Sequence, residues 1–145
     1  MHPVPISVVL LVDSRGWVLL QERDSEAPRS PDQWGMVGGH IEPDEDFGSG
    51  VHRELAEETG LRLPPGTLQL WRDTEFAYPD GHTGHYHVYA AAVDLTDADI
   101  VVGEGRQIVF VDPAVVPELD LAASARHFVP EFLASGLYRS FRRAS

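Results

Sequence analysis

Apolar runs and polar, turn-forming stretches alternate along the chain, and the period of the pattern shifts from place to place. Residues 6–12 are continuously apolar and rich in Val and Ile, which predicts a buried strand ending at Asp13. Ser14-Arg15-Gly16 reads as a turn, and residues 17–22 as a second strand, its hairpin partner. Residues 24–33 are polar and contain Pro28 and Pro31, so they read as a surface loop. Residues 34–37 form a short extended piece leading into Gly38-Gly39, with a loop at 40–45. From about Asp46 to Thr59 the pattern is helical: Phe47, Val51, Leu55 and Thr59 recur every fourth residue, and Gly60 supplies the stop. Two strands follow at 68–78 and 85–93, around the turn signal Pro79-Asp80-Gly81. A further strand is expected at Gln107–Val111, a short helix at 113–118, and a longer one at 121–133 that Pro130 kinks or divides. The tail at 138–143 is locally basic and reads as disordered. Strands on both sides of a central helix, with a late helix, predict one α/β domain with a mixed sheet over residues 1–145.

The polar face of the central helix carries the chemistry. Glu54, Glu57 and Glu58 stand at i, i+3 and i+4, on one face and one turn apart. Three like charges so placed repel one another, so helix stability alone does not select them. A hard cation such as Mg²⁺ or Mn²⁺ removes the repulsion, because such ions prefer carboxylate and carbonyl oxygens.

Composition narrows the partners. Cysteine is absent, which excludes a disulfide framework and a thiolate metal site and fits a reducing cytosol; a cytoplasmic location is the expectation. The apolar run near the N-terminus is too short to span a membrane and has no positive flank. The formal charge of −12 argues against non-specific nucleic-acid binding, which needs a basic footprint. The same charge repels a polyphosphate at long range, so a diphosphate substrate needs divalent cations to bridge it to the protein. His82, His85 and His87 invite a zinc reading, since His85 and His87 alternate onto one strand face. No obvious closing ligand accompanies them, so this strand reads instead as solvated or substrate-facing.

The segment from Gly39 to Leu61 follows G-x5-E-x7-R-E-(aliphatic)-x-E-E-x-G-(aliphatic), with Gly39, Glu45, Arg53, Glu54, Leu55, Glu57, Glu58, Gly60 and Leu61 at its nine fixed positions. This resembles the Nudix box. The approach from Trp34 to Gly39, and Gly103-Glu104-Gly105 before an apolar strand, extend the resemblance over most of the chain. It implies an α/β/α fold, a mixed sheet between helices, with the box as loop–helix–loop. It also implies a metal-dependent hydrolase that uses Mg²⁺ or Mn²⁺ to cleave a diphosphate bond in a small nucleotide. Candidates are a nucleoside triphosphate, ADP-ribose, a nucleotide sugar or a dinucleoside polyphosphate. The alternative is a Nudix-like sensor that binds a nucleotide without hydrolysing it; such domains typically lose box glutamates, which are intact here. Prenyl-diphosphate isomerases share the fold but use a cysteine, which is lacking. Homodimers recur in the family, which makes a homodimer an option.

The resemblance also implies roles. Glu54, Glu57 and Glu58 are the metal ligands, joined by the carbonyl of Gly38, while Gly39 lets the substrate approach the backbone. Arg53 and Glu45 resemble the internal salt bridge that holds loop and helix in register, with phosphate contact the lesser role for Arg53. Glu104, in a loop that its flanking glycines suggest is mobile, matches a downstream glutamate that completes the metal site or acts as general base. Glu54 and Glu104 both remain candidates for the base. Arg23 is placed to face the substrate phosphates, with Arg106 and Arg126 as lesser options, and Trp34, Trp71, Phe76, Tyr78 and Tyr86 as aromatics able to stack on a base. Two departures from the family stand out. Val37 precedes the glycine pair where proline is frequent, and Gly48 and Gly50 predict a looser start to the helix.

Overall fold

Strand β1 (Val4–Val12) organises the molecule because its side chains are buried on both faces of the sheet. The computed structural model describes residues 2–144. Ile6, Val8, Leu10 and Val12 point into one apolar cluster, and Val9 and Leu11 into another. A strand covered on both faces needs a continuous apolar run, and this one has it.

One edge of β1 pairs in parallel with β6 (Thr83–Ala92) along its whole length, from Val4 opposite Gly84 to Val12 opposite Ala92. Beyond β6 lies β5 (Gln69–Ala77), antiparallel, with a bulge between Leu70 and Arg72. The other edge of β1 is shared. β2 (Val18–Glu22) meets it at the hairpin end, Val12 opposite Val18, while β4 (Val37–His40) pairs with Ile6 to Val9. The short β3 (Trp34–Gly35) pairs with β2, so residues 34–40 cross from one half of the sheet to the other at Met36. β7 (Gln107–Val111) covers the outer edge of β2. The result is a mixed sheet that splits around the β3–β4 segment.

Helix α1 (Phe47–Thr59) packs on one face, burying Val51 and Leu55 against Val9, Leu11, Val37 and Phe110. Its start is set by Asp46, whose carboxylate accepts from the amide of Ser49 at 2.7 Å. Its end is set by Gly60, with φ +76° and its N–H donating to the carbonyl of Ala56. Gly50 does not loosen this helix: a methyl there would stand 2.4 Å from Ile41 Cδ1, so the glycine lets the preceding loop pack close.

Helix α2 (Ala123–Leu133) covers the opposite face with Ala125, Phe128, Val129 and Phe132. Pro130 neither divides nor ends it; the residue is exposed, so the hydrogen bond its ring forgoes lies toward solvent. The 113–118 region contributes one 3₁₀ turn, Val116–Glu118, and a second such turn lies at Asp97–Asp99. The tail corrects the expectation of disorder. Gly136–Ala144 is a helix, α3, because Tyr138 and Phe141 pack on Phe132 and the Tyr138 hydroxyl donates to the carbonyl of Gly16. The layers are therefore helix, sheet, helix, as the sequence predicts. No helix among the described residues is long and apolar enough to cross a membrane.

Candidate active site

The carboxylates of α1 gather against the glycine pair of β4. Arg53 is the organiser. Its Nε and Nη2 donate to Glu45 Oε2 and Oε1 at 2.7 and 2.9 Å, a bidentate pair that ties the loop before α1 to the helix. Its Nη1 donates to Glu54 Oε1 at 3.0 Å and Glu57 Oε2 at 3.1 Å, and Nη2 to the carbonyl of His40 at 3.2 Å. One guanidinium thus holds the half-buried Glu54, the exposed Glu57 and the end of β4. The Arg53–Glu45 pair expected from the sequence is present, and the same guanidinium contacts Glu54 and Glu57.

Glu54 lies over Gly39: a methyl there would stand 2.9 Å from Glu54 Oε1. Gly38, at φ +141°, has no room for one either, since it would stand 2.2 Å from the carbonyl of Ser7. Glu58 is buried, 3% exposed, and its Oε2 has no hydrogen-bond partner in the protein. Burial pushes its carboxyl up to about 9; the hydrogen bond and charge of Glu54 and the charge of Glu104 add to the rise, and the Gly38 amide opposes it. Glu104 follows Gly103, whose amide donates to the carbonyl of Glu58, so the downstream glutamate stands next to the end of the row.

The loop carrying Glu104 is held in place by backbone contacts, which modifies the reading of a mobile loop. The amides of Val101 and Gly103 donate to the carbonyls of Thr59 and Glu58, and Gln21 Nε2 donates to the carbonyl of Glu104. Its glycines have packing reasons. A methyl on Gly103 would stand 2.1 Å from the carbonyl oxygen of Glu57, and Gly105 sits at φ +86° against the carbonyl of Glu22.

On the other side of the glycine pair opens a cavity of about 510 Å³. Ile6 and Val8 of β1 line it together with Tyr78, Tyr86, Met36 and Ser124. Tyr78 stacks on His82, 4.1 Å between centroids, and shares a hydrogen bond with the Tyr86 hydroxyl. Gly38, Gly39 and His40 form the border toward the carboxylates. Arg23 reaches both this cavity and a smaller cleft of about 180 Å³ beside Glu104; its Nε is buried without a partner. Arg29 Nη1 lies 3.0 Å from His40 Nε2. Burial first, and then the Arg29 charge, lower the pKa of His40.

Several sequence-level candidates fall elsewhere. Arg106 is committed to Asp32, Glu22 and the carbonyl of Arg23, and Arg126 donates to the carbonyl of Leu121. Trp34, Trp71 and Phe76 pack against the core on the α2 side rather than lining the cavity. His82 lines the cavity, whereas His85 and His87 lie on the opposite face of β6, next to Phe47. Sequence reasoning passed over Arg29, Met36, His40 and Ser124. His40 was findable as the neighbour of the glycine pair. Arg29 sits in a loop read only as solvated, whose Ser30 and Asp32 adopt positive φ.

Comparison with known proteins gives the family and the fold. The NUDIX domain family profile matches residues 1–132. The m7GpppN-mRNA hydrolase NUDT17 of Bos taurus is 47% identical over 76 residues, 49% of this chain and 24% of that protein. The chain thus matches about a quarter of the length of that relative. The nucleoside triphosphatase NudI of Enterobacter is 28% identical over 123 residues, 80% of this chain and 87% of the relative. Among solved structures, the MutT protein of Methanosarcina mazei superposes with a TM-score of 0.70 at 23% identity, over 99% of this chain and 96% of that one. The NUDIX domain of Shewanella oneidensis NrtR, bound to ADP ribose, gives 0.74 at 21% identity, over 90% and 86%. With the profile spanning most of its length and the same fold in its structural neighbours, the chain belongs to the NUDIX domain family.

Proposed function

We propose that the protein is a divalent-metal-dependent hydrolase that cleaves a diphosphate bond in a small nucleotide. The observation that carries this is the position of the glycine pair. Gly38 and Gly39 border the 510 Å³ cavity on one side and meet the carboxylate row of α1 on the other. A nucleoside in the cavity would lay its diphosphate over bare backbone, against Glu54, Glu57 and Glu58.

The residues fit a hard cation. The donors are all oxygen, the row is anionic, and Glu58 Oε2 is a buried acceptor that nothing in the protein satisfies. Glu54, Glu57, Glu58, Glu104 and the Gly38 carbonyl are the groups that would hold Mg²⁺ or Mn²⁺. A bound divalent ion neutralises diphosphate charge and lowers the pKa of water. Arg53 keeps Glu54 and Glu57 oriented, and Arg23 faces the phosphates with its unpartnered Nε. The base that receives the proton of the attacking water is Glu54 or Glu104. Both lie at the site, and in-line attack demands mainly positioning and charge neutralisation.

The relatives indicate the substrate range. NUDT17 is named as an m7GpppN-mRNA hydrolase and NudI as a nucleoside triphosphatase, so both a dinucleoside polyphosphate and a nucleoside triphosphate belong on the panel. ADP-ribose joins them because a structural neighbour was solved with it. We place the protein in the cytoplasm as one catalytic domain over residues 1–145, with α3 packed onto α2 beyond the matched residues.

The test is product release from that panel with Mg²⁺, beside Glu57→Gln and Glu58→Gln. One substrate class should turn over, and each variant should lose about a hundredfold or more of the rate. No turnover anywhere, with a nucleotide still raising Tm, would make the chain a nucleotide-binding module instead.

A further inference from the structure

The face of the sheet that carries His85 and His87 holds a cluster that the hydrolytic site does not use. Asp73 on β5 stands opposite His87 in the strand register, and it supplies the closing ligand that the local sequence around the histidines lacks. Asp73 Oδ1 is 2.6 Å from His85 Nε2, and Asp73 Oδ2 is 3.3 Å from His87 Nε2. One donor atom from each of the three residues lies within 4.8 Å of the others. Two ligands of a tetrahedral ion at about 2.0–2.1 Å stand about 3.3 Å apart, so little adjustment separates this geometry from coordination.

The cluster is also preorganised. The His87 ring stacks on Phe47 with centroids 3.7 Å apart and planes 13° from parallel, and His85 sits 5.1 Å from the same ring. His87 Nδ1 is buried with no hydrogen-bond partner. In the metal-free protein a proton on Nε2 faces the Asp73 carboxylate; an ion bound at Nε2 would take its place and leave Nδ1 to carry the proton. The Asp73 side chain is 55% exposed and that of His85 39%, so an ion has a path in and water can complete its shell.

We propose that Asp73, His85 and His87 form a second metal site, selective for a borderline transition ion such as Zn²⁺ or Co²⁺. Two imidazoles with one carboxylate suit such ions, while Mg²⁺ prefers oxygen and is left to the glutamate row. The site is distinct from that row. Phe47 precedes Glu54 by seven residues, about 10 Å along α1. An ion there would tie β5 to β6 and, through the Phe47 stack, brace the first turn of the catalytic helix.

Titration of the intact protein with Zn²⁺ in excess Mg²⁺ tests the proposal. One equivalent should bind and shift the imidazole NMR signals of His85 and His87, while those of His40, His52 and His127 stay put. The exposed substitutions Asp73→Asn and His85→Ala should weaken Zn²⁺ at least about tenfold. Saturable binding that leaves the signals of His85 and His87 unmoved, or no saturable binding at all, would overturn it. The wild-type NMR readout holds even where a variant folds poorly.

Discussion

At the scale of single residues, Glu58 shows how the fold sets the chemistry of a side chain. In the unfolded chain its carboxyl releases a proton near the ordinary 4.5; in the folded protein burial and the Glu54 and Glu104 charges raise that to about 9. Between those values the folded state binds the extra proton, so the stability of the metal-free protein falls as pH rises from about 4.5 towards 9. Excess Mg²⁺ should flatten that slope, because a cation at the carboxylate row replaces the proton. Denaturant midpoints measured across this range, with EDTA and with Mg²⁺, check both parts. A flat profile in EDTA would mean that Glu58 is already ionised in the free protein. Arg53 is the counterpart: its contacts to Glu45, Glu54 and Glu57 spread one positive charge over three carboxylates and leave Glu58 out.

At the scale of elements, α1 is defined at both ends by local caps, yet the placement of its carboxylate row depends on distant segments. The 101–105 loop closes on the C-terminal end of α1 through the amides of Val101 and Gly103. A methyl at position 103 would meet the Glu57 carbonyl at 2.1 Å, a backbone atom that cannot swing aside. Gly103→Ala should therefore separate loop from helix, cost about 1–3 kcal/mol, and lower kcat more than it raises KM, because Glu104 moves with the loop. Gly136→Ala is the matched control, since a methyl there meets only a flexible arginine tip at 3.9 Å. Equal effects at both positions would refute the packing argument. Chemical denaturation and steady-state kinetics on the two variants supply the numbers.

At the scale of the whole molecule, the cavity proposed for binding and the carboxylates proposed for chemistry lie on opposite sides of one strand. The α2 face provides the cavity, the α1 face the carboxylates, and β4 is the boundary. The charge is divided likewise. The chain is strongly acidic overall, but Arg23 and Arg29 border the cavity, against Asp80 as its acidic residue. A locally basic cleft in an acidic protein draws an anionic ligand to one entrance. Specificity should then be separable from catalysis. Removing the Tyr78 ring, by Tyr78→Ala, should raise KM for the preferred nucleotide roughly tenfold and leave kcat and the Mg²⁺ dependence unchanged. A fall in kcat at constant KM would place the base of the nucleotide outside this cavity.

Much of this was legible in the residues themselves. The apolar run at 6–12, the Asp46 and Gly60 ends of α1, the hairpin at Pro79-Asp80-Gly81 and the one-face spacing of Glu54, Glu57 and Glu58 rest on interactions within a turn or two of chain. Short-range sterics and periodicity determine them, so the sequence alone determined them too. The basic tail was misread because its helix depends on Phe132, which only the packing of α2 brings beside Tyr138 and Phe141. The glycines at 50 and 103 looked like looseness and are instead close contacts with Ile41 and Glu57. The burial of Glu58, the cavity between β1, the β5–β6 hairpin and α2, and the meeting of Asp73 with His85 and His87 were decided by tertiary structure alone. Each joins segments far apart in the chain, and which residues then face one another is set by strand register and helix placement, which no local pattern encodes.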